Sequence, residues 1–279
     1  MSRYRTPLAL RPDPLAEPPP VAMVMAAGLG KRMRPLTATR PKPLVEVAGK
    51  TLLDHSLDRL RAAGVRKAVV NVHYLPDALE AHLRNRVRGI EIVVSDERDQ
   101  LLETGGGLVK ALPLIDADPF LVVNSDNLWI DGPIDSLRHL ASHWDDTRMD
   151  ALLLLVPLAR ANCHGGQGDF HMNAAGKLRR KKTGTVAPFV YTGIQMVSKR
   201  LLDGEHPSGP FSTNILWDAA IEKGRLFEGE VPAGPFSTNI LWDRAINAGR
   251  CFGAVHQGLW FDVGAPPNIK KTEEILAFG

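Results

Sequence analysis

VAMVMAAGLGKRMRPLTATRPKP, Val21–Pro43, is the stretch whose reading decides the fold. It opens as an uninterrupted apolar run, Val21 to Ala26, of the kind that fits a fully buried central strand. Gly28-Leu29-Gly30 follows, where two residues without a Cβ let the backbone come close to a ligand. Lys31, Arg32, Arg34, Arg40 and Lys42 then place five cations within a dozen residues, in a loop stiffened by Pro35, Pro41 and Pro43. A buried strand that delivers a glycine turn and a cation cluster at its carboxyl end is how an α/β sheet builds a phosphate site. The loop is not GxxxxGK[ST]. It is not GxGxxG either, because Met33 stands where the third glycine would be, which argues against a nicotinamide dehydrogenase.

Outward from this stretch, helical and strand patterns alternate. Leu52, Leu53, Leu57 and Leu60 give helical spacing over Thr51–Ala63, stopped by Gly64. Lys67–His73 reads as a strand, Pro76–Val87 as an amphipathic helix and Ile90–Val94 as a third strand. That order predicts a parallel sheet with helices on both faces. Phe120–Val123, Asp150–Val156 and Pro188–Gln195 continue the strand series, and Gly168–His171 with Lys177–Lys182 reads as a hairpin turning at Asn173–Gly176. Cys251–His256 and Leu259–Asp262 are two last strands before a helix over Pro267–Phe278.

Bulk properties narrow the classes. The chain has 279 residues, 44% hydrophobic and 23% charged, with a net charge of +3, enough for one large α/β domain or two small ones. The positive charge is local, in the first loop and in Arg179–Lys182, so no nucleic-acid-binding stripe is expected. Cys163 and Cys251 form neither a metal-ligand pattern nor a disulfide framework, which suits the cytoplasm. No apolar run approaches membrane-spanning length, and the Pro- and Arg-rich residues 1–20 lack a secretory core and read as a disordered leader.

AAGLGKRMRPLT followed by RPKPLVEVAGKTLLDH resembles the signature of the sugar-1-phosphate nucleotidyltransferases, and the likeness runs from Val21 to the C-terminus. The resemblance implies a three-layer, Rossmann-like nucleotide-diphospho-sugar transferase fold with a mostly parallel central sheet. It implies that Ala27, Gly28, Leu29, Gly30, Lys31, Asn71, Gly105 and Gly106 bind nucleotide, while Arg32, Lys42 and Asp126 are catalytic. Glu103 and Thr104, and Tyr191, Thr192 and Gly193 of the YTG segment, fall where the family holds the sugar. Asn124-Ser125-Asp126 is similar to the family's magnesium-binding N-x-D. Trp260–Pro266 is similar to its W-x-D-x-G-T-P element, with Ala265 where threonine is usual. Asp126 and Asp262 would then share a Mg2+ ion.

The implied partners are a nucleoside triphosphate and a sugar 1-phosphate, with no nucleic acid and no membrane, in a monomer or homodimer. The combination of NVHY, ETGGG, GDF and YTGIQ implies UTP and N-acetylmuramate 1-phosphate, a pairing that belongs to peptidoglycan recycling. GTP with mannose 1-phosphate is the alternative, and a non-catalytic regulatory protein that binds nucleotide sugars is a second class. Arg180, Lys181 and Lys182 are candidates for a cation on the sugar phosphate.

The chain also carries a duplication. GPFSTNILWD occurs at Gly209–Asp218 and again at Gly234–Asp243. Residues 21–279 are expected to form one domain with copies at 204–229 and 230–253. The second copy runs directly into Cys251–His256, so the first is expected to be the extra one.

Overall fold

A computed structural model describes residues 16–202 and 239–278. The apolar run after Pro20 forms β1 (Val21–Met25), and the period of two splits it between two cores. Ala22 and Val24 pack on one face of the sheet, and Val21 and Met23 on the other. β1 sits between two parallel neighbours, β2 (Lys67–Val72) and β4 (Phe120–Asn124). β3 (Glu91–Asp96) extends the parallel half beyond β2.

The other half is mixed. β9 (Phe189–Val197) runs antiparallel to both β4 and β6 (Ala151–Pro157), and β10 (Cys251–Val255) pairs parallel with β6. A hairpin of β7 (Phe170–Met172) and β8 (Leu178–Arg180) attaches at the start of β9. The order β8-β7-β9-β4-β1-β2-β3, with β6 and β10 branching from β9, gives one nine-stranded sheet. A small second sheet pairs β5 (Asn127–Ile130) with β11 (Leu259–Asp262) and the short strand Ala161–Asn162.

Helices cover both faces. α1 (Leu52–Ala63) is capped by the Thr51 hydroxyl, which accepts from the Asp54 N–H at 3.1 Å, and ends at Gly64 in a left-handed conformation. Its Leu53, Leu57 and Leu60 join α2 (Pro76–Arg86) and α4 (Ser136–Ala141) over one core. α3 (Glu103–Ala111) and α5 (Asn239–Asn247) cover the other, burying Leu108, Leu241 and Trp242. α6 (Pro266–Phe278) packs over a third cluster containing Met33, Leu128 and Phe261.

Residues 16–20 depart from the expected disordered leader. Pro18 and Pro19 are buried, and the Pro20 carbonyl accepts from the Arg66 and Lys67 N–H groups, because the strand edge beside β1 offers donors that must be met. Residues 1–15, the whole first copy of the duplication and the start of the second lie outside the described residues. The helix of the second copy is α5. Its Trp242 ring lies against the sheet, and the indole Nε1 donates to Gln195 Oε1 at 2.7 Å.

A histidine pair joins α4 to the turn that follows it, His139 buried on the helix and His143 half-buried just after it. The His139 and His143 rings meet edge to face at 4.5 Å, with His256 packed nearby. Burial, reinforced by His143, lowers the pKa of His139 to about 4. The native state therefore favours neutral His139, and this contribution is complete above the ordinary histidine pKa of about 6.5. It is lost as pH falls from there towards 4, on the order of 3 kcal/mol in all. Melting temperature should fall over that window, and more gently in His139→Gln. An equal slope in the variant would exclude His139 as the source.

Candidate active site

The carboxyl ends of β1, β2 and β4 open on a cleft of ≈ 340 Å³, at the edge where α/β sheets place ligands. Ala27, Gly28, Leu29 and Lys31 form one wall, Glu103 and Thr104 another, and Lys42, Asn71 and Asp126 also line it. A Cβ built on Gly28 would meet nothing within 4 Å, so the backbone there is bare towards the cleft. Gly30 is different. Its φ is +60°, and a Cβ would come within 3.0 Å of the Lys42 and Thr37 side chains. Glycine is required there by conformation and by close packing. The Gly30 carbonyl accepts from Thr37 Oγ1 at 2.8 Å and from the Met33 N–H at 2.9 Å, which folds the loop back over Lys42.

Lys42 is only 8% exposed, and its Nζ donates to Asp126 Oδ2 at 2.7 Å. Asp262 arrives from the other sheet. In the β5–β11 pairing Asp262 lies opposite Asn127, one residue beyond Asp126, so register brings together two carboxylates 136 positions apart in sequence. The His164 ring, with Nδ1 at 3.3 Å from Asp262 Oδ2, holds the Asp262 carboxyl below the usual range, and the charges of Arg32 and Lys42 add to this. Arg32 passes beside Gly264, where a Cβ would lie 3.5 Å from both terminal guanidinium nitrogens.

Asn71 lines the cleft, yet both its polar atoms point inward. Its Oδ1 accepts from the Ala26 N–H at 2.6 Å, and its Nδ2 donates to Glu97 Oε1 at 2.8 Å. Glu97 Oε2 accepts from the Leu102 N–H at 3.3 Å. Glu97 is wholly buried, and burial pushes its carboxyl up. This chain of bonds ties the start of the glycine loop to the start of α3, so Asn71 shapes the wall of the cleft through its neighbours. In Glu97→Gln one of the two donors loses its acceptor, a loss of about 1–3 kcal/mol. The KM for nucleotide should rise together with a lower melting temperature. A changed melting temperature with unchanged KM would show that the bonds support the fold alone.

Gly105 and Gly106 do not lie bare against the cleft. They are buried inside α3, and the cleft is met by Glu103 and Thr104 ahead of them. Close packing explains the neighbouring glycine, since a Cβ on Gly107 would sit 2.6 Å from Glu97 Oε1 and 2.9 Å from Asn71 Nδ2. Glu103 itself has φ +59°, a left-handed conformation that costs a side-chain-bearing residue about 1–2 kcal/mol.

Of the YTG segment only Tyr191 reaches a cavity, a second one of ≈ 310 Å³ that shares Met25, Thr104 and Asn124 with the cleft. Thr192 is fully buried, with its hydroxyl donating to the Leu154 carbonyl at 2.8 Å, so it is turned from the expected sugar side into the core. Gly193, at φ +82°, sits in a bulge of β9 pressed against Asn127. Its role is this close approach. His164 and Glu97 carry no motif signal. Glu97 could have been flagged only as a carboxylate directly after the strand Glu91–Asp96.

Residues 21–165 match the family model for nucleotidyl transferases. The chain belongs to the nucleotidyl transferase family. A Caulobacter vibrioides protein named N-acetylmuramate alpha-1-phosphate uridylyltransferase is 43% identical to this nucleotidyl transferase over 266 residues, 94% of this chain and 99% of that protein. A Neisseria meningitidis protein of the same name is 33% identical over 255 residues, 91% of this chain and 97% of its own length. Among solved structures, the inositol-1-phosphate CTP transferase from T. maritima superposes with a TM-score of 0.68 at 18% identity, covering 94% of this nucleotidyl transferase and 96% of that chain. That likeness establishes the shared Rossmann-like fold.

Proposed function

We propose that the protein transfers a uridylyl group from UTP to N-acetylmuramate 1-phosphate, releasing pyrophosphate. The observation that carries this reading is likeness at 43% identity over almost the full length of both chains to a uridylyltransferase for that sugar phosphate. The site chemistry agrees with it. A phosphate monoester is already anionic near neutral pH, its second pKa being about 6, so the nucleophile needs no general base. Its oxygen attacks the α-phosphorus, the bond to the bridging oxygen of the β-phosphate breaks, and pyrophosphate leaves with that electron pair. The obstacle is an anion approaching a polyanion, so catalysis is positioning and charge neutralisation.

In this reading Arg32 and the amides of Leu29, Gly30 and Lys31 hold the β- and γ-phosphates, while Lys42 faces the α-phosphate. Asp126 and Asp262 would hold Mg2+. Two hard carboxylates fit that ion, which is usually held by one or two carboxylates together with substrate phosphates and waters. When bound, the ion would neutralise phosphate charge.

We place the reaction in the cytoplasm, as a step in peptidoglycan recycling, since N-acetylmuramate is a wall sugar. Among the described residues no helix is long and apolar enough to cross a membrane. The test crosses UTP, GTP and dTTP with N-acetylmuramate, mannose and glucose 1-phosphates, with magnesium, and measures pyrophosphate release. Release with UTP and the muramate sugar is expected. Release confined to GTP with mannose 1-phosphate would transfer the reading to a guanylyltransferase. Nucleotide binding without any release would mark a regulatory protein.

A further inference from the structure

The second cavity holds groups that the transfer chemistry does not use. Arg180, at the end of β8, lies with its guanidinium 5.6 Å from the centre of the Phe170 ring and 5.7 Å from that of Trp242. Its Nε faces Asp243 Oδ1 at 2.5 Å, and its Nη2 is enclosed without a hydrogen-bond partner. The Tyr191 hydroxyl, on the same cavity, is also enclosed and unpartnered, and its ring stands edge-on to Trp242 at 4.6 Å. Arg180 and Tyr191 both line this cavity, each holds an enclosed polar atom without an acceptor, and an enclosed unpaired polar group is costly.

The acceptor is not the phosphate that reacts. In the reading above it attacks the α-phosphate that faces Lys42, so it lies in the cleft, and neither Lys42 nor Asp126 lines this cavity. Met25, Thr104 and Asn124 are common to both spaces, so a sugar anchored at its C1 phosphate in the cleft extends its far substituents into the second. Lys181 is elsewhere occupied, its Nζ donating to the Thr185 carbonyl at 3.4 Å, and Lys182 is exposed.

We propose that Arg180 selects the acid sugar, its guanidinium receiving the carboxylate of the lactyl ether that distinguishes N-acetylmuramate from N-acetylglucosamine, with the Tyr191 hydroxyl as a second donor. This rests on the acceptor proposed above. A guanidinium braced on two rings and held by a carboxylate at one edge presents its other edge in the planar fork that matches a carboxylate. The carboxylate that lines the cavity, Asp169, and Asp243 beside Arg180 are both engaged. Asp243 closes the Nε edge, and Asp169 Oδ2 accepts from the Tyr191 N–H at 2.9 Å. Burial pushes the Asp243 carboxyl up against the opposing pull of Arg180.

The test measures Arg180→Gln and Arg180→Lys with UTP and either N-acetylmuramate 1-phosphate or N-acetylglucosamine 1-phosphate, the second as substrate or as competitor. For the muramate sugar, kcat/KM should fall about 10²-fold in Arg180→Gln, mainly through KM, because the lactyl group is remote from the reacting atoms. The constant for the glucosamine sugar should move by no more than about threefold. Arg180→Lys, which keeps the charge without the fork, should fall between. Equal losses with both sugars would overturn the proposal and make Arg180 a support of the pocket. No turnover of the muramate sugar by the unchanged protein would remove the acceptor reading and the proposal together, and that result needs no variant to be seen.

Discussion

Lys42→Ala is expected to slow pyrophosphate release by about 10²–10³, the usual loss when one preorganised donor to a developing charge is removed. Lys42 is held under the glycine loop, where Gly30 leaves just enough room for its Cβ, and it is nearly excluded from water. A cation fixed there needs no reorganisation when negative charge builds on the α-phosphate. Its partner Asp126 is the second half of the device. Asp126→Ala should cost at least as much, because it removes a proposed ligand of the metal and leaves Lys42 without its anion. If the two act as a unit, Lys42→Ala with Asp126→Ala should cost little more than the worse single change. Steady-state rates of the three variants at saturating substrates decide this. A loss below tenfold in Lys42→Ala, or simple additivity in the pair, would separate the two roles.

Gly168→Ala should have the largest effect on stability, a loss of about 3 kcal/mol. Gly168 has φ +75°, where a side chain costs about 1–2 kcal/mol. The added Cβ would also lie 2.1 Å from the Ala187 carbonyl oxygen and 2.9 Å from its carbon. Those atoms are backbone, tied by the Ala187 N–H to the Gln167 carbonyl at 2.8 Å and flanked by the Asp169 N–H to Phe189 carbonyl bond at 2.7 Å. The hairpin must therefore part from β9, and overpacking adds about 1–3 kcal/mol. The melting temperature should drop by about 6–12 °C. Because the hairpin carries Phe170 and Arg180, binding of the sugar phosphate should weaken as well. A melting temperature within 2 °C of the parent would mean that the hairpin yields freely.

The chain order of the elements and the position of the phosphate loop are legible in local sequence. The buried run Val21–Ala26, the glycines after it and the helical spacing of Leu53, Leu57 and Leu60 each report an environment fixed within a few residues. Asp126 and Asp262 stand out only through the resemblance of their motifs, N-x-D and W-x-D-x-G, one lying two residues past the end of a strand and the other at the end of one. What local pattern cannot carry is the partner of a side chain. Asn71 and Thr192 stand in strands whose alternation says which face they take, but not that Asn71 would spend both polar atoms on Ala26 and Glu97, or that Thr192 would bond Leu154. Gly193 is expected on the sugar side and Gly107 belongs to a run that reads as a flexible turn, and only the distances to Asn127 and Glu97 show that they are there for room.

The sequence by itself determined that this protein is an α/β nucleotidyl transferase with its phosphate loop after the first strand, because period, apolar runs and a long motif are properties of the chain alone. Tertiary structure decided which groups meet. It set Lys42 on Asp126, brought Asp262 beside them by the register of a second sheet, and placed Arg180 on a cavity that neither Lys42 nor Asp126 lines. Those are contacts between residues far apart in the chain, fixed by how strands pair and cores fill, and no local spacing encodes them.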